Sequence, residues 1–256
     1  MDLFQKLTRR EAVKKVGTIP LFALLTPPGT GSQSAGGLSS GTLATGETPM
    51  TGQRTSLSQA TIVVSPDEPS YVQHGIKDLA DYLHESTAQS IPVKSTFDDQ
   101  ANVLIAVGQK MMDEILPGSW ELKELADEGF RIRSIVKDGK VRVMVSGATP
   151  KGTNCGLATL MQLIRFEGNS AYLEDPLNIR SRPRFAVRGI HLNGWPLKNP
   201  YSFRTWQEKD WQRFVDLVWL QKGNLFFLWP FMEIMPVPLS PADEAYLQEV
   251  RFIRWR

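Results

Sequence analysis

Residues 185–233, FAVRGIHLNGWPLKNPYSFRTWQEKDWQRFVDLVWLQKGNLFFLWPFME, decide the fold, because their pattern changes from strand to helix and back to strand. Residues 185–193 are apolar and rich in β-forming side chains, and Gly194 interrupts them. Thr205 and Glu208 have the spacing of a capping box, in which both side chains satisfy backbone N–H groups at a helix start. The helix that follows carries an apolar stripe at positions i, i+3, i+4 and i+7, formed by Trp211, Phe214, Val215 and Val218.

A second apolar run, residues 225–229, follows this helix after Gly223 and Asn224. A strand that is apolar on both faces is typical of a parallel sheet covered by helices. Ser240 and Pro241, followed by acidic residues, predict the start of one more helix. This order of elements indicates the opening of a (β/α) barrel or of a doubly wound α/β sheet.

The length of this region limits what it can form. A closed eightfold barrel takes about 200 residues or more, and only residues 184–256 are available for it here. We therefore expect the chain to be the N-terminal part of a longer protein.

Net charge and cysteine content narrow the class of protein. A formal charge of +2 over 256 residues gives no reason to expect nucleic acid or an anionic membrane as a partner. The single cysteine, Cys155, allows no internal disulfide, and in a predicted helix over residues 152–166 it suits the role of a small buried apolar side chain. Residues 61–175 contain no His/Cys metal spacing and no phosphate-binding glycine loop. We expect neither a metal nor an organic cofactor.

The first 25 residues have the features of an export signal. The stretch TRREAVK, residues 8–14, resembles the twin-arginine signature, and the apolar run 16–25 is too short to span a bilayer, for which about 20 residues are needed. We therefore expect a protein exported to the periplasm or the exterior, without stable membrane insertion; the alternative is a basic helix packed on the domain. Residues 26–60 are rich in Gly, Ser, Thr and Pro, which predicts a disordered linker.

Residues 61–175 predict a small α+β domain. Strands are expected at 61–65, 91–95, 103–108, 130–136 and 141–145, with a helix opened by a capping box of Ser70 and Gln73 and another after Thr149 and Pro150. Asp138 and Gly139 between two alternating strands are the strongest short hairpin signal. His74 and His84 are ten residues apart on one helix, which does not suit a metal pair, so both are predicted to be surface residues. This domain is predicted to be structural.

Several short motifs in this order resemble those of glycoside hydrolases. They are VLIAVG at 103–108, GFRI at 129–132, VMVSGAT at 143–149, GTNCGLATLMQL at 152–163 and RPRFAVRGI at 182–190. Family 20 hexosaminidases and family 67 α-glucuronidases carry a small α+β domain before a (β/α)8 barrel, and the similarity runs from about Ile62 to Arg256. The resemblance implies an α/β fold in which the small domain (61–175) is followed by the first two β/α units of an incomplete TIM-type barrel (184–256).

Function in a barrel sits at the C-terminal ends of its strands. Those ends hold His191, Asn193 and Trp195 after the first strand, and Trp229 and Glu233 after the second. Aromatic rings beside a few polar groups suit a sugar, which stacks its C–H face and hydrogen-bonds through its hydroxyls. The alternative is that the histidine and the tryptophans are core residues. Glu233 is interpreted as a rim residue rather than a catalyst.

The resemblance to family 20 gives Arg188 a contact with sugar hydroxyls, because the arginine of the matching Arg-Gly pair has that role. Strand alternation, however, puts Arg188 on the face opposite to His191 and Asn193. Glycosidases use paired carboxylates about 5–10 Å apart, and in these families the acids come from later strands, so no catalytic residue is named in this chain.

The sequence therefore predicts an exported glycoside hydrolase that acts on terminal sugars of oligo- or polysaccharides, with the fragment alone inactive. The alternative is a non-catalytic carbohydrate-binding protein that keeps the aromatic rim. A third possibility is an intact αβ interaction protein of 256 residues, whose last two strands pair elsewhere.

Overall fold

A computed structural model describes residues 53–118, 122, 124–192, 206–228 and 237–251 of the 256-residue chain. The chain divides into two compact units, Met1–Ser181 and Arg182–Arg256, and each is described by itself.

The first unit contains nine strands and three helices among its described residues. In chain order they are β1 (Arg54–Ser56), β2 (Ala60–Val64), α1 (Ser70–Thr87), β3 (Val93–Lys94), β4 (Val103–Val107), α2 (Gln109–Ile115), β5 (Phe130–Lys137), β6 (Lys140–Gly147), α3 (Pro150–Leu163), β7 (Arg165–Glu167), β8 (Ser170–Glu174) and β9 (Asn178–Ser181).

Six of these strands form one mixed sheet, in the order β3-β2-β4-β6-β5-β9. The pairs from β3 to β6 are parallel, whereas β5 pairs antiparallel with both β6 and β9. The predicted hairpin between β5 and β6 is confirmed, since Asp138 and Gly139 have φ angles of 52° and 73°. Positive φ at both positions is what a two-residue hairpin turn of this type requires.

Helices cover both faces of this sheet. On one face α2 packs through a buried cluster that includes Val63, Leu104, Met112 and Met144. On the other face α3 approaches so closely that a β-carbon on Gly156 would meet the side chain of Val145. The start of α3 agrees with the sequence prediction, because Thr149 is the N-cap residue and Pro150 is the first helical residue.

The remaining strands of this unit form a small antiparallel sheet, in the order β1-β8-β7. Its presence corrects the predicted linker, which was expected to run to residue 60. Arg54–Ser56 pairs with β8, and Leu57 is buried. The error arises because three polar residues after a Gly/Ser/Thr-rich stretch carry no strand signal, while pairing with β8 satisfies their backbone groups.

Three smaller predictions in this unit are also corrected. Ser70 and Gln73 do not form a capping box: the N-cap residue is Pro69, and Gln73 Nε2 donates to Ser65 O at 2.8 Å. The helix that holds Cys155 ends at Leu163 instead of residue 166, and Cys155 is half-buried. His84 is exposed as predicted, but His74 is half-buried with Nε2 3.4 Å from an oxygen of Asp78.

The second unit has a strand–helix–strand–helix order, which confirms the predicted α/β pattern. Its elements are β10 (Gly189–Leu192), α4 (Glu208–Leu220), β11 (Leu225–Leu228) and α5 (Pro241–Arg251). Strands β10 and β11 are parallel neighbours. Ser240 starts α5 as predicted, since its Oγ accepts from Asp243 N at 3.2 Å. For α4, however, the predicted Thr205–Glu208 box is replaced by Gln207, whose N–H donates to the Asp210 carboxylate at 3.0 Å.

Among the residues that the structure describes, no helix is both long enough and apolar enough to cross a bilayer.

Candidate functional site

Two adjacent parallel strands in the second unit present one face that carries both polar and aromatic side chains. In the register of β10 and β11, His191 lies beside Phe227, and Gly189 beside Leu225. Successive side chains of a strand point to opposite faces. Gly189, His191, Leu225 and Phe227 therefore share one face of the strand pair. Ile190 and its register partner Phe226 share the other face.

Helix α4 covers the second of these faces. The ring of Phe226 lies 5.5 Å from that of Phe214 and 6.1 Å from that of Trp211, measured between centroids. Trp211, Val215 and Val218 are buried, so the apolar stripe of the helix is confirmed for these three residues. The amphipathic helix therefore fixes which face of the strand pair is left open.

The open face corrects the expectation that the second strand is buried on both sides. Within this unit, Phe227 is 54% exposed and Leu225 is 46% exposed. The sequence signal was a continuous apolar run, which does not reveal that only one of its two faces meets a helix.

His191 and Phe227 are the chemically distinctive pair on this face. Their rings meet edge to face, with centroids 4.8 Å apart and planes at 73°. His191 is exposed and is the third of the four residues of β10, so it lies towards the carboxyl end of the strand. An imidazole that can donate or accept a hydrogen bond beside an exposed benzene ring is a combination that suits a sugar.

Gly189 allows β10 and β11 to pair in the register that puts His191 beside Phe227. A β-carbon on Gly189 would lie 2.8 Å from both the β-carbon and the carbonyl oxygen of Leu225. Only glycine avoids this overlap, so the glycine of the Arg-Gly motif has a packing role in β10.

The structure places Arg188 away from this pair, next to the amino end of β10. Its Nε donates to Lys222 O at 2.9 Å and its Nη1 to Phe185 O at 2.7 Å. Its backbone N–H donates to Asn224 Oδ1 at 2.9 Å. The guanidinium thus ties the start of β10 to the segment that follows α4, and these contacts do not bring Arg188 together with His191.

Four predicted site residues lie outside the described residues, and they are Asn193, Trp195, Trp229 and Glu233. One residue of the open face was missed by sequence reasoning, namely Phe227. It belongs to the apolar run that was predicted to be buried, and only the register with His191 identifies its neighbour. The described residues of this face, Gly189, His191, Leu225 and Phe227, include no carboxylate and no thiol, so they offer a metal a single imidazole.

Two neighbouring carboxyl groups of the first unit, Asp67 and Glu68, follow the carboxyl end of β2 and have pKa values shifted in opposite directions. Burial raises the pKa of the Glu68 carboxyl, and the neighbouring charge of Asp67 raises it further. Hydrogen bonding from Lys110, at 3.0 Å, lowers the pKa of Asp67. One oxygen of Glu68 is buried, and in the described structure no hydrogen-bond donor reaches it.

No protein-family model matches the sequence, and no curated protein matches it. Solved structures do. A family GH115 4-O-methyl-α-glucuronidase, BtGH115A, with specificity for decorated arabinogalactans is 18% identical, with a TM-score of 0.53 over 74% of this chain and 27% of its own. CpGH84B is 15% identical, with a TM-score of 0.52 over 80% of this chain and 33% of its own. A β-hexosaminidase from Streptomyces plicatus, solved with its product GlcNAc, is 20% identical, with a TM-score of 0.48 over 71% and 32%.

The two structures with TM-scores above 0.5 establish the fold and not the family, because their identities to this chain are only 18% and 15%. The chain spans about a quarter to a third of the length of the structures it matches. The mixed α/β architecture predicted from the sequence is confirmed, and the chain has a fold similar to that of glycoside hydrolases.

Proposed function

We propose that this chain is part of an exported glycoside hydrolase that acts on terminal sugars of oligo- or polysaccharides. The observation that carries the proposal is the His191–Phe227 pair, with centroids 4.8 Å apart on the open face of two parallel strands. The similarity of the fold to glycoside hydrolases supports the same class of ligand.

The chemistry of this face fits a pyranose ring. The exposed ring of Phe227 offers an apolar platform for the C–H face of a sugar, and the imidazole of His191 offers a directed hydrogen bond to a hydroxyl. The imidazole meets the Phe227 ring edge to face, with the two planes at 73°. In this arrangement one sugar unit spans both strands.

The catalytic carboxylates belong, in this proposal, to a longer protein of which the chain is the N-terminal portion. Support comes from coverage, since the chain corresponds to about a quarter to a third of the matched structures. Hydrolysis of a glycosidic bond needs two carboxyl groups about 5–10 Å apart. The described part of the open face supplies binding groups only.

The test is binding of sugars to the 256-residue chain, measured by isothermal titration calorimetry with chitopentaose and with arabinogalactan. His191→Ala and Phe227→Ala should each weaken binding about two- to tenfold, which is the usual value of one aromatic or hydrogen-bonding contact. Phe185→Ala is the matched control, because it removes an exposed phenylalanine of the same unit outside both strands. Equal affinities for all four proteins would overturn the proposed site.

A second candidate function is a carbohydrate-binding protein without catalysis. Its support is the same His191–Phe227 pair, because such a protein needs only the binding groups of the open face. Hydrolysis of p-nitrophenyl glycosides by the protein encoded by the full reading frame separates the two candidates. Release of p-nitrophenol supports the hydrolase, whereas binding without release supports the non-catalytic protein.

Export through the twin-arginine route is part of the proposal and rests on the sequence TRREAVK at residues 8–14. Replacing Arg9 and Arg10 with lysines should retain the protein in the cytoplasm, as measured by fractionation of a tagged chain. A matched change of Lys6 and Lys15 to arginine keeps the charge and leaves the stretch at residues 8–14 intact. Export of the doubly lysine-substituted protein at the normal level would contradict this route.

A further inference from the structure

The outer face of the small β1-β8-β7 sheet carries an aromatic side chain at its centre. Tyr172 lies on the middle strand β8, and its register partners are Ser56 on β1 and Arg165 on β7. Its neighbours in β8, Ala171 and Leu173, are buried. Because alternate residues point to opposite faces, Tyr172 projects away from the core.

The opposite face of this sheet is the one that packs on the rest of the unit. Phe166 of β7 meets Tyr82 of α1 edge to face, with centroids 5.1 Å apart. Thr55 of β1 is buried, and its hydroxyl donates to the buried carboxylate of Asp175. These contacts fix the orientation of the sheet on its own unit and leave the Tyr172 face outward.

Charged side chains of both signs surround Tyr172. The guanidinium carbon of Arg54 lies 4.6 Å from the centre of the Tyr172 ring, and its Nη1 donates to Glu167 Oε2 at 3.1 Å. Arg54 thus reaches from β1 across β8 to β7. Glu174 is the register partner of Arg54, and it is exposed like Glu167.

This arrangement does little for the stability of the fold. The side chains of Arg54 and Glu167 are 60% and 74% exposed. Exposed ion pairs of this kind contribute about 0–1 kcal/mol. A pre-ordered aromatic and charged surface that the fold does not need is a candidate for recognition.

We propose that this face is an accessory binding platform for a neutral oligosaccharide. The two arginines and two glutamates cancel in charge, so the face does not favour a polyanion such as nucleic acid. Sugar hydroxyls, by contrast, both donate and accept, and they can bond to guanidinium and carboxylate groups at once. Tyr172 and the planar guanidinium stacked on it supply a flat surface for a pyranose ring.

The size of the platform suits a short stretch of a sugar chain. Strands lie about 4.8 Å apart, so three strands span about 10 Å between the outer two. The platform belongs to the first unit and uses none of the residues of the His191–Phe227 face. It rests on the proposed function only for the class of ligand, a carbohydrate.

The test is affinity electrophoresis of the whole chain in gels that contain hydroxyethylcellulose, glucomannan or arabinoxylan, followed by calorimetry with oligosaccharides of the polymer that retards it. Tyr172→Ala should weaken binding about two- to tenfold, and Tyr172→Phe should keep most of it, because the ring remains. Arg54→Gln should also weaken binding. Lys77→Gln is the charge-matched control, since Lys77 is an exposed residue of α1 that pairs with Asp81.

Thermal unfolding of every variant shows whether the fold is intact. A comparison of the affinities of Tyr172→Phe and Tyr172→Leu shows whether binding depends on the aromatic ring or only on apolar bulk. Weaker binding by Tyr172→Ala and Arg54→Gln, with unchanged binding by His191→Ala, supports the platform. It also shows that the His191–Phe227 face does not bind the polymer. Weaker binding by His191→Ala alone overturns the platform and leaves the proposed function standing. A wild-type chain that no polymer retards also overturns the platform.

Discussion

One carboxylate oxygen of Glu68 occupies the position where Gly108 would carry a β-carbon. Glu68 follows β2 and Gly108 follows β4, and these two strands are parallel neighbours. The φ angle of Gly108 is 88°, a conformation that side chains other than glycine rarely adopt. Two separate constraints therefore meet at Gly108.

Gly108→Ala should destabilise the first unit through both constraints, by about 1–3 kcal/mol for the backbone strain and by an added amount for the overlap with Glu68. Gly139→Ala is the matched control, because Gly139 has a φ of 73° and nothing lies within 4 Å of its β-carbon position. Urea unfolding should show a larger loss for Gly108→Ala. Adding Glu68→Ala should return part of that loss, and a double variant no better than Gly108→Ala would contradict the overlap.

Glu68→Gln should stabilise the protein at neutral pH. Burial and Asp67 raise the pKa of Glu68, so the folded state favours the protonated form. The stability that this preference contributes is present below the ordinary pKa of 4.5 and is lost as the pH rises through the raised value. Urea midpoints of the two proteins should therefore diverge as the pH rises above 4.5. Asp67→Asn should instead lower the stability at neutral pH. The hydrogen bond from Lys110 lowers the pKa of Asp67, so the folded state favours the ionised carboxylate that this substitution removes.

Arg142 should be intolerant of substitution, because it is a buried cation whose donors serve backbone carbonyls. Its side chain is 2% exposed, and Nη1 donates to Ala101 O at 2.7 Å while Nη2 donates to Asp99 O at 3.3 Å. Burial lowers its pKa, although the carboxylate of Asp99 opposes this effect. Arg142→Ala should cost about 1–3 kcal/mol, because the carbonyls of Ala101 and Asp99 lose their buried donor; chemical unfolding measures this loss. Lys137→Ala is the control, since Lys137 is exposed and donates to a different backbone carbonyl, that of Ile115; equal losses would contradict this role.

Arg188 should act on the stability of the second unit rather than on sugar affinity. Its guanidinium bonds to Lys222 O and Phe185 O. Arg188→Ala should therefore increase proteolytic cleavage of residues 182–256, and Arg188→Lys should recover part of the protection through one retained bond. His191→Ala should leave the cleavage pattern unchanged. A loss of sugar binding by Arg188→Lys with no change in proteolysis would restore the role that the resemblance implied.

Periodicity predicted the elements of this chain well, whereas the two predicted capping boxes were wrong and the short polar strand β1 was not predicted. The stripe of α4 and the hairpin at Asp138 each follow from one strong local signal. By contrast, Ser70 and Thr205 were chosen as caps from spacing alone, and Gln73 instead bonds to a distant carbonyl. The spacing of polar residues does not show which of them bonds to the backbone at the helix N-terminus in the folded structure.

The motif around Gly147 contributes to the resemblance to glycoside hydrolases, and the structure gives the motif a physical cause. A β-carbon on Gly147 would overlap with the backbone of Gly152. Thr153 Oγ1 accepts from Gly147 N at 3.0 Å, which closes the same turn. The spacing of these residues is therefore required by packing of β6 against α3, and it carries no chemistry of its own.

The candidate site was predicted only in part, for a geometric reason. Strand alternation predicts Arg188 on the face opposite to His191, whereas in the structure Arg188 precedes β10 and bonds to Lys222 O and Phe185 O. Alternation could not pair His191 with Phe227, because the register between two strands depends on where the loop and the helix between them return the chain. The exposure of Phe227 was not predicted for a different reason, namely that a continuous apolar run does not show that only one of its faces meets a helix.

Phe226 and Phe227 are adjacent in sequence, but replacing each with alanine should affect a different property. Phe226→Ala should lower the stability, and Phe227→Ala should lower the affinity for sugar. Phe226 packs on Trp211 and Phe214 of α4, with centroids 6.1 and 5.5 Å away, so Phe226→Ala should destabilise the second unit by about 3 kcal/mol. Phe227 lies on the open face, so Phe227→Ala should change stability by less than about 1 kcal/mol while it weakens sugar binding. Chemical unfolding followed by tryptophan fluorescence, together with calorimetry on the same samples, measures both effects. If Phe227→Ala unfolds the unit as readily as Phe226→Ala does, the open face is part of a core, and the sugar site proposed on it is wrong.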